Sequence, residues 1–197
     1  GATFPFWSQD NEHIGFFAQR KLKSVDLGGG AVRILCDAPS GHGGAWNRAG
    51  TILFSASIAG PLYQIDVGGG APTPLTPIHR DSAQSHCWPS FLPDGEHFLY
   101  YSFRSVPADF LRDGIYAGRI GGTDAHLISA DVAGNVAFSS GHLFYVRDRS
   151  LVAQPFDPER LRLTGSLRSI ADQELDSDRT TSLSGFTVSE TGVLVLQ

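Results

Sequence analysis

The 197-residue sequence predicts an all-β fold, a partial β-propeller with four complete four-stranded blades and the first two strands of a fifth. The main observation is a repeat: the stretch that begins at Trp7 aligns without gaps with the stretch that begins at Phe91. Weaker copies begin at Trp46, Phe138 and Phe186, so that an aromatic anchor recurs every 39 to 48 residues. That period is typical of propeller blades built from four strands.

Each repeat divides into four predicted strands, A to D. Strand A leads into the aromatic anchor, and a turn containing residues such as Asp94-Gly95 joins it to strand B. The B strands are apolar on both faces, which suits a strand covered by a blade on either side. Strand C follows, for example at residues 22–27 and 62–67, and glycine turns lead to strand D. We place the blades at residues 1–36, 37–77, 78–129, 130–171 and 172–197 of one domain.

Composition excludes several classes of function. There are 15 Lys and Arg against 20 Asp and Glu, a net charge of −5, and no basic cluster that could neutralise phosphates. We therefore expect no nucleic-acid partner. No apolar run approaches the roughly 20 residues of a membrane span, so we expect no membrane contact by this segment. The sequence has no methionine and about four and a half repeats, and we expect it to be a fragment of a longer protein.

Catalytic and metal-binding motifs are missing from the sequence, and no cofactor is expected. The His and Cys residues match no zinc-ligand spacing, which predicts no metal site. The strand assignment places Cys36 on an outermost strand and Cys87 on an innermost strand two blades later, too far apart for a disulfide. Both are predicted to be free thiols. These features predict that the chain itself is not an enzyme.

The turn Leu92-Pro93-Asp94-Gly95 after an aromatic anchor resembles the WD40-like propeller repeat of the TolB type. Residues 6–8 with 14–17, 43–47 and 153–158 resemble the propeller region of bacterial membrane-anchored Ser/Thr protein kinases. That resemblance implies a sensor module of a signalling kinase, on the extracytoplasmic side of the membrane. TolB-like propellers also serve as gating domains of prolyl-oligopeptidase-type serine peptidases, which is the alternative function.

Four long predicted loops, at residues 37–44, 77–87, 102–113 and 172–184, leave the blades on one face. Long loops on a rigid scaffold often carry binding sites, although tolerated insertions would have the same lengths. The candidate binding residues on this face are His42, His79, Arg80, His86, Trp88 and Arg104. The predicted function is non-catalytic capture of an unidentified protein or small molecule. Open blade edges also predict self-association.

Overall fold

The structure, a computed structural model, describes residues 1–78, 84–104, 113–130, 132–175, 177–178, 181–189 and 191–196. Within these ranges the chain forms strands and turns without a helix. It follows that the described part offers no helix with the length and hydropathy needed to cross a membrane.

The strands form successive antiparallel sheets in chain order. The first sheet contains β1 (Thr3–Trp7), β2 (His13–Ala18), β3 (Lys21–Asp26) and β4 (Arg33–Asp37). The second contains β5 (Gly44–Trp46), β6 (Thr51–Ser55), β7 (Leu62–Asp66) and β8 (Thr73–Pro74). The third contains β9 (Gln84–Phe91), β10 (His97–Arg104), β11 (Gly114–Arg119) and β12 (His126–Ala130).

The fourth sheet contains β13 (Ala133–Ser139), β14 (His142–Arg147), β15 (Ser150–Asp157) and β17 (Arg168–Glu174), and β16 (Arg162–Leu163) pairs with the end of β15. The last sheet has two strands, β18 (Phe186–Val188) and β19 (Leu194–Leu196). Innermost strands β1, β5, β9, β13 and β18 contact one another in chain order. This is a partial propeller of four full blades and the first two strands of a fifth, which confirms the predicted fold class.

Two of the predicted loops are shorter than expected because strands extend into them. Strand β9 already begins at Gln84, and β10 continues to Arg104, so the two strands pair over the whole distance. The extension is polar, but its side chains bond to each other: Gln84 Nε2 donates to Ser102 Oγ at 3.0 Å. His86, which falls in the predicted loop at residues 77–87, therefore lies in a strand, as does Trp88.

The hydrophobic core lies between the blades. Each aromatic anchor from the second blade onward packs against the blade before it; Trp46, only 7% exposed, belongs to one cluster with Phe6 and Phe17 of the first blade. The Phe6 ring fills the space left by two glycines, Gly15 in its own blade and Gly44 in the next. Trp7 has no preceding blade in the structure and is 56% exposed.

Polar side chains connect the turns of successive blades. Asn47 Nδ2 donates to the carbonyl of Gly95 at 2.8 Å, and Gln9 Oε1 accepts the backbone N–H of Arg48 at 3.0 Å. Such links fix the angle between neighbouring blades, and with it the positions of the innermost strands around the axis.

Both cysteines are free, as predicted. Cys36 is half-buried, and desolvation raises the pKa of its thiol to about 11. Cys87 is buried in β9, and the same effect raises its pKa further. Neither thiol is activated for nucleophilic chemistry.

Candidate functional site

One backbone feature recurs at the long-loop end of the propeller axis. Three or four residues before each aromatic anchor, the chain contains a residue with positive φ. The five are Phe4 (49°), Gly43 (85°), Trp88 (53°), Gly134 (77°) and Ser182 (54°). Strand pairing slips at this point in β1, β9 and β13, as expected of β-bulges, which redirect side chains. Aromatic residues rarely adopt this conformation, and such outliers concentrate at functional sites.

The bulges bring together three rings from the first three blades. Phe4 stacks on His42 with ring centroids 5.8 Å apart, and it meets Trp88 edge to face at 5.0 Å. The rings of His42 and Trp88 lie 6.5 Å apart. His42, a predicted candidate, is thus held in an aromatic cluster with another candidate, Trp88, and with Phe4.

The hydrogen bond of His42 determines its tautomer. Its Nδ1 lies 2.9 Å from the carbonyl oxygen of Ser40. A carbonyl can only accept, so Nδ1 carries the hydrogen and Nε2 presents a lone pair. Within the described ranges no side chain or backbone group bonds to that Nε2. His42 can therefore accept a proton, as a general base must.

Trp88 packs next to His42 and is held by two hydrogen bonds. Its backbone N–H donates to the carbonyl of His42 at 3.1 Å, and its indole Nε1 donates to the carbonyl of Thr181 at 2.9 Å. The indole covers Gly43 so closely that a Cβ added there would lie 2.5 Å from Trp88 Cε3. Gly43 is required for this contact and for its positive φ.

A cleft of about 260 Å³ opens on the long-loop face beside this cluster. Its walls come from the start of β1, the β2–β3 turn and the segment before β5, and they include Phe4, Phe17, Arg20, Ser40 and His42. Apolar rings, a few polar groups and one guanidinium are suited to a small polar molecule with an anionic group.

Two other predicted site residues, His86 and Arg104, do not line this cleft. His86 is 2% exposed; its Nδ1 contacts the hydroxyl of Thr76, and its ring packs on Tyr100, so it offers no surface to a ligand. Arg104 Nε donates to Asp113 Oδ1 at 3.3 Å, which makes it part of an ion pair at the end of β10. His79 and Arg80 lie outside the described residues.

Sequence reasoning missed Phe4, Ser40 and Arg20. A signal for Phe4 was present, because it stands three residues before its anchor, the place that Trp88 holds in the third repeat. Ser40 acts through its backbone, and Arg20 lies on a short turn; neither has a sequence signature.

Comparison with known proteins supports the fold. No family model matches the chain, and no curated protein matches it. A gluconolactonase from Xanthomonas campestris is similar in structure, with a TM-score of 0.71 and 16% identity over 98% of this chain and 68% of that one. Regucalcin, a calcium-binding protein from Agrobacterium tumefaciens, has a TM-score of 0.68 and 16% identity over 98% and 65%. TolB from Acinetobacter baumannii has 0.60 and 13% over 83% and 44%.

The chain thus spans about two thirds of the length of the first two structures. All three comparisons support a propeller, including the TolB-like type, and none supports the link to signalling kinases. The prediction of a non-catalytic sensor module, and with it the prediction that the chain is not an enzyme, is wrong: similar structures include gluconolactonases, which are enzymes. The peptidase alternative has weaker support than this lactonase class.

Proposed function

We propose that the chain forms much of the substrate-binding face of a propeller hydrolase that opens a small carboxylic ester of the lactone class. The observation that carries the proposal is the free Nε2 of His42, in a ring fixed by the Ser40 carbonyl at the wall of a cleft. The likeness to gluconolactonase structures supports the lactone class. The activity of the whole protein is part of the proposal.

In the proposed reaction water is the nucleophile. His42 Nε2 accepts a proton from the water as its oxygen bonds to the ester carbonyl carbon, and the carbonyl electron pair moves to oxygen. When the intermediate collapses, the bond to the ring oxygen breaks, and the leaving alkoxide takes the proton from the His42 imidazolium. The product is a hydroxy acid, which ionises in solution. Arg20, in the same cleft, provides a positive charge for its carboxylate.

Regucalcin is a calcium-binding protein, so the fit of a calcium ion to the mouth of the axis in this chain bears on the proposed reaction. Calcium takes six to eight oxygen ligands. The side chains of Phe4, His42 and Trp88 offer no ligand oxygen, and Asn135, beside Gly134, is already bonded: its Oδ1 accepts the N–H of Ser184 at 2.7 Å, and its Nδ2 donates to the Phe186 carbonyl. These described residues do not fit calcium, and proton transfer in the proposed reaction uses His42 and water alone.

Among the described residues, one group of three possible ligands occurs, Asp10, Glu12 and His13. It lies on the β1–β2 turn, at the opposite face from the cleft. Asp10 Oδ1 already accepts the backbone N–H of Glu12 at 2.9 Å, which is a turn interaction. This group has no part in the proposed reaction.

The test measures the rate of glucono-δ-lactone hydrolysis by titrating the acid that is released. It compares His42→Asn with a matched control, His142→Asn. His142 has the same local geometry, with Nδ1 2.9 Å from the carbonyl of Ser140, but on the opposite face. Loss of a general base lowers the rate by about 100-fold or more. We expect that loss for His42→Asn and an unchanged rate for His142→Asn; equal rates in both variants would contradict the proposal.

The extracytoplasmic location and an unidentified protein partner stay predictions, because the cleft does not test them. The size of the cleft supports a small-molecule ligand.

A further inference from the structure

We propose that Trp88 is a positioning residue for His42, and that through it the segment before the fifth blade becomes part of the site. This inference rests on the hydrolase function proposed above, because it gives His42 its role. Trp88 belongs to the third blade, His42 to the second, and Thr181 to the segment that leads into the fifth. Three parts of the chain that are distant in sequence thus meet at one indole.

The first contact fixes the backbone of His42. The N–H of Trp88 donates to the His42 carbonyl at 3.1 Å, while the His42 N–H donates to the Ser55 carbonyl at 3.3 Å. The indole also lies against Gly43, the next residue. A shift of Trp88 would therefore move the peptide that carries the His42 ring.

The second contact fixes Trp88 itself. Its Nε1 donates to the Thr181 carbonyl at 2.9 Å, the hydrogen bond that holds the indole across the axis. Thr181 is in turn held by Asp178, whose Oδ1 accepts the Thr181 N–H at 2.8 Å and its hydroxyl at 3.1 Å. The chain of contacts runs from Asp178 through Thr181 and Trp88 to His42.

The backbone conformation of Trp88 indicates that the surrounding contacts hold this residue in place. A bulky residue at a φ of 53° is strained and costs free energy unless the surrounding contacts hold it there. An extended backbone without a bulge would point the Trp88 side chain in another direction, because a bulge changes the direction of the side chain. The contacts with Gly43, Phe4 and Thr181 offset that cost by placing the ring at the mouth of the axis.

The experiment uses Trp88→Phe, which keeps an aromatic ring but removes the indole N–H, and the control Trp46→Phe. Trp46 is equally buried in the neighbouring innermost strand, where its ring contacts His13. The first readout is the pair of ring 15N NMR resonances of His42, which report its tautomer and depend far less on the ring current of a neighbouring indole; they are assigned by their loss in His42→Asn. We expect them to move in Trp88→Phe and to stay in Trp46→Phe.

The second readout is the rate of lactone hydrolysis. Misplacement of a catalytic group by about 1 Å can cost about 100-fold, so we expect kcat to fall by about tenfold or more in Trp88→Phe with a smaller change in KM. An unmoved His42 resonance with an unchanged kcat would overturn the positioning role. A moved resonance in a protein that hydrolyses no lactone would support it and would contradict the hydrolase function alone.

Hydrogen exchange tests the same hydrogen bond without a substitution. The chain has three tryptophans, and Trp7 is largely exposed. We expect the indole N–H of Trp88 to exchange with solvent much more slowly than that of Trp7. Equally fast exchange would show that the Thr181 bond does not hold the indole, and would overturn the proposal.

Discussion

The imidazole of His86 and the hydroxyl of Thr76 form a buried pair, with Nδ1 2.7 Å from Oγ1. The same hydroxyl accepts the backbone N–H of Leu62 at 2.8 Å, and Nε2 of His86 has no hydrogen-bond partner in the described part of the chain. Burial lowers the pKa of His86 from 6.5 to about 3, because a charged ring would lose its hydration. The folded protein therefore keeps this ring neutral under conditions that protonate it in the unfolded chain.

The first prediction concerns acid stability. Below pH 6.5 the unfolded chain binds a proton at His86 that the folded chain does not bind until about pH 3. The free energy of unfolding should therefore fall as the pH falls, by about 2 kcal/mol between pH 7 and pH 5 from this residue. Urea denaturation at both pH values, in wild type and His86→Phe, measures the contribution. His126→Gln, which removes an exposed histidine, is the control; a pH dependence that survives in His86→Phe would contradict the assignment.

The second prediction concerns the Phe6 contact between the first two blades. In Gly44→Ala the new Cβ would lie 2.4 Å from Phe6 Cε1, in a packed region. We expect unfolding to become easier by about 1–3 kcal/mol, as for other overpacked cores. Thermal denaturation of Gly44→Ala, Phe6→Leu and the double variant forms a cycle. The cost of Gly44→Ala should shrink in the Phe6→Leu background; strictly additive effects would mean that the ring is not the obstacle.

The third prediction concerns Asn47, which joins the second and third blades. Its Oδ1 accepts the N–H of Thr51 at 2.9 Å and its Nδ2 donates to the Gly95 carbonyl at 2.8 Å, both from a buried side chain. Asn47→Ala leaves these partners unsatisfied and should cost about 2–4 kcal/mol in denaturant unfolding. Gln9→Ala removes a more exposed link between blades, and its cost should stay below about 1 kcal/mol. Equal costs for Asn47→Ala and Gln9→Ala would show that burial does not determine how much these hydrogen bonds contribute to stability.

The fourth prediction concerns the exposed face of the first blade. Trp7 pairs with Ile14 across β1 and β2, and Ile34 on β4 is also exposed, which leaves an apolar sheet face uncovered. We expect copies of this chain to associate through it. Trp7→Ser should weaken association at least about tenfold in sedimentation velocity, because a tryptophan buries about 150–250 Å². Ile58→Ser, an equally exposed residue on a loop, should change nothing; a monomeric wild type would refute the prediction.

The repeat was predictable because its signal is periodic and hydrophobic. Anchors such as Trp46 and Phe186 must be buried against the blade before them, and a chain that repeats this requirement at blade spacing has few folds available. The start of β9 was not predictable in the same way. Gln84 and His86 are polar and resemble loop residues, and only their partners Ser102 and Thr76, distant in sequence, explain why they are buried in a strand.

The candidate site was predictable in part. His42 and Trp88 were both among the candidate residues on the face of the long predicted loops. The role of Phe4 and the bond from Trp88 to Thr181 depend on bulges, which local sequence does not reveal when the residue at positive φ is aromatic. The proposed enzymatic class has no sequence signal, because no motif marks a histidine that would act on water from an isolated position.

The five residues with positive φ around the axis have an evolutionary consequence. Duplication of a blade copies the bulge as a backbone shape, while the residue on it differs between blades, as Phe4, Gly43 and Ser182 illustrate. Two of these side chains also reach the interblade core, Trp88 as a buried member of it and Phe4 packed against it. A substitution at either position would therefore change the chemistry of the mouth and the packing of the blades together, so a new binding surface would arise together with a change in blade stability.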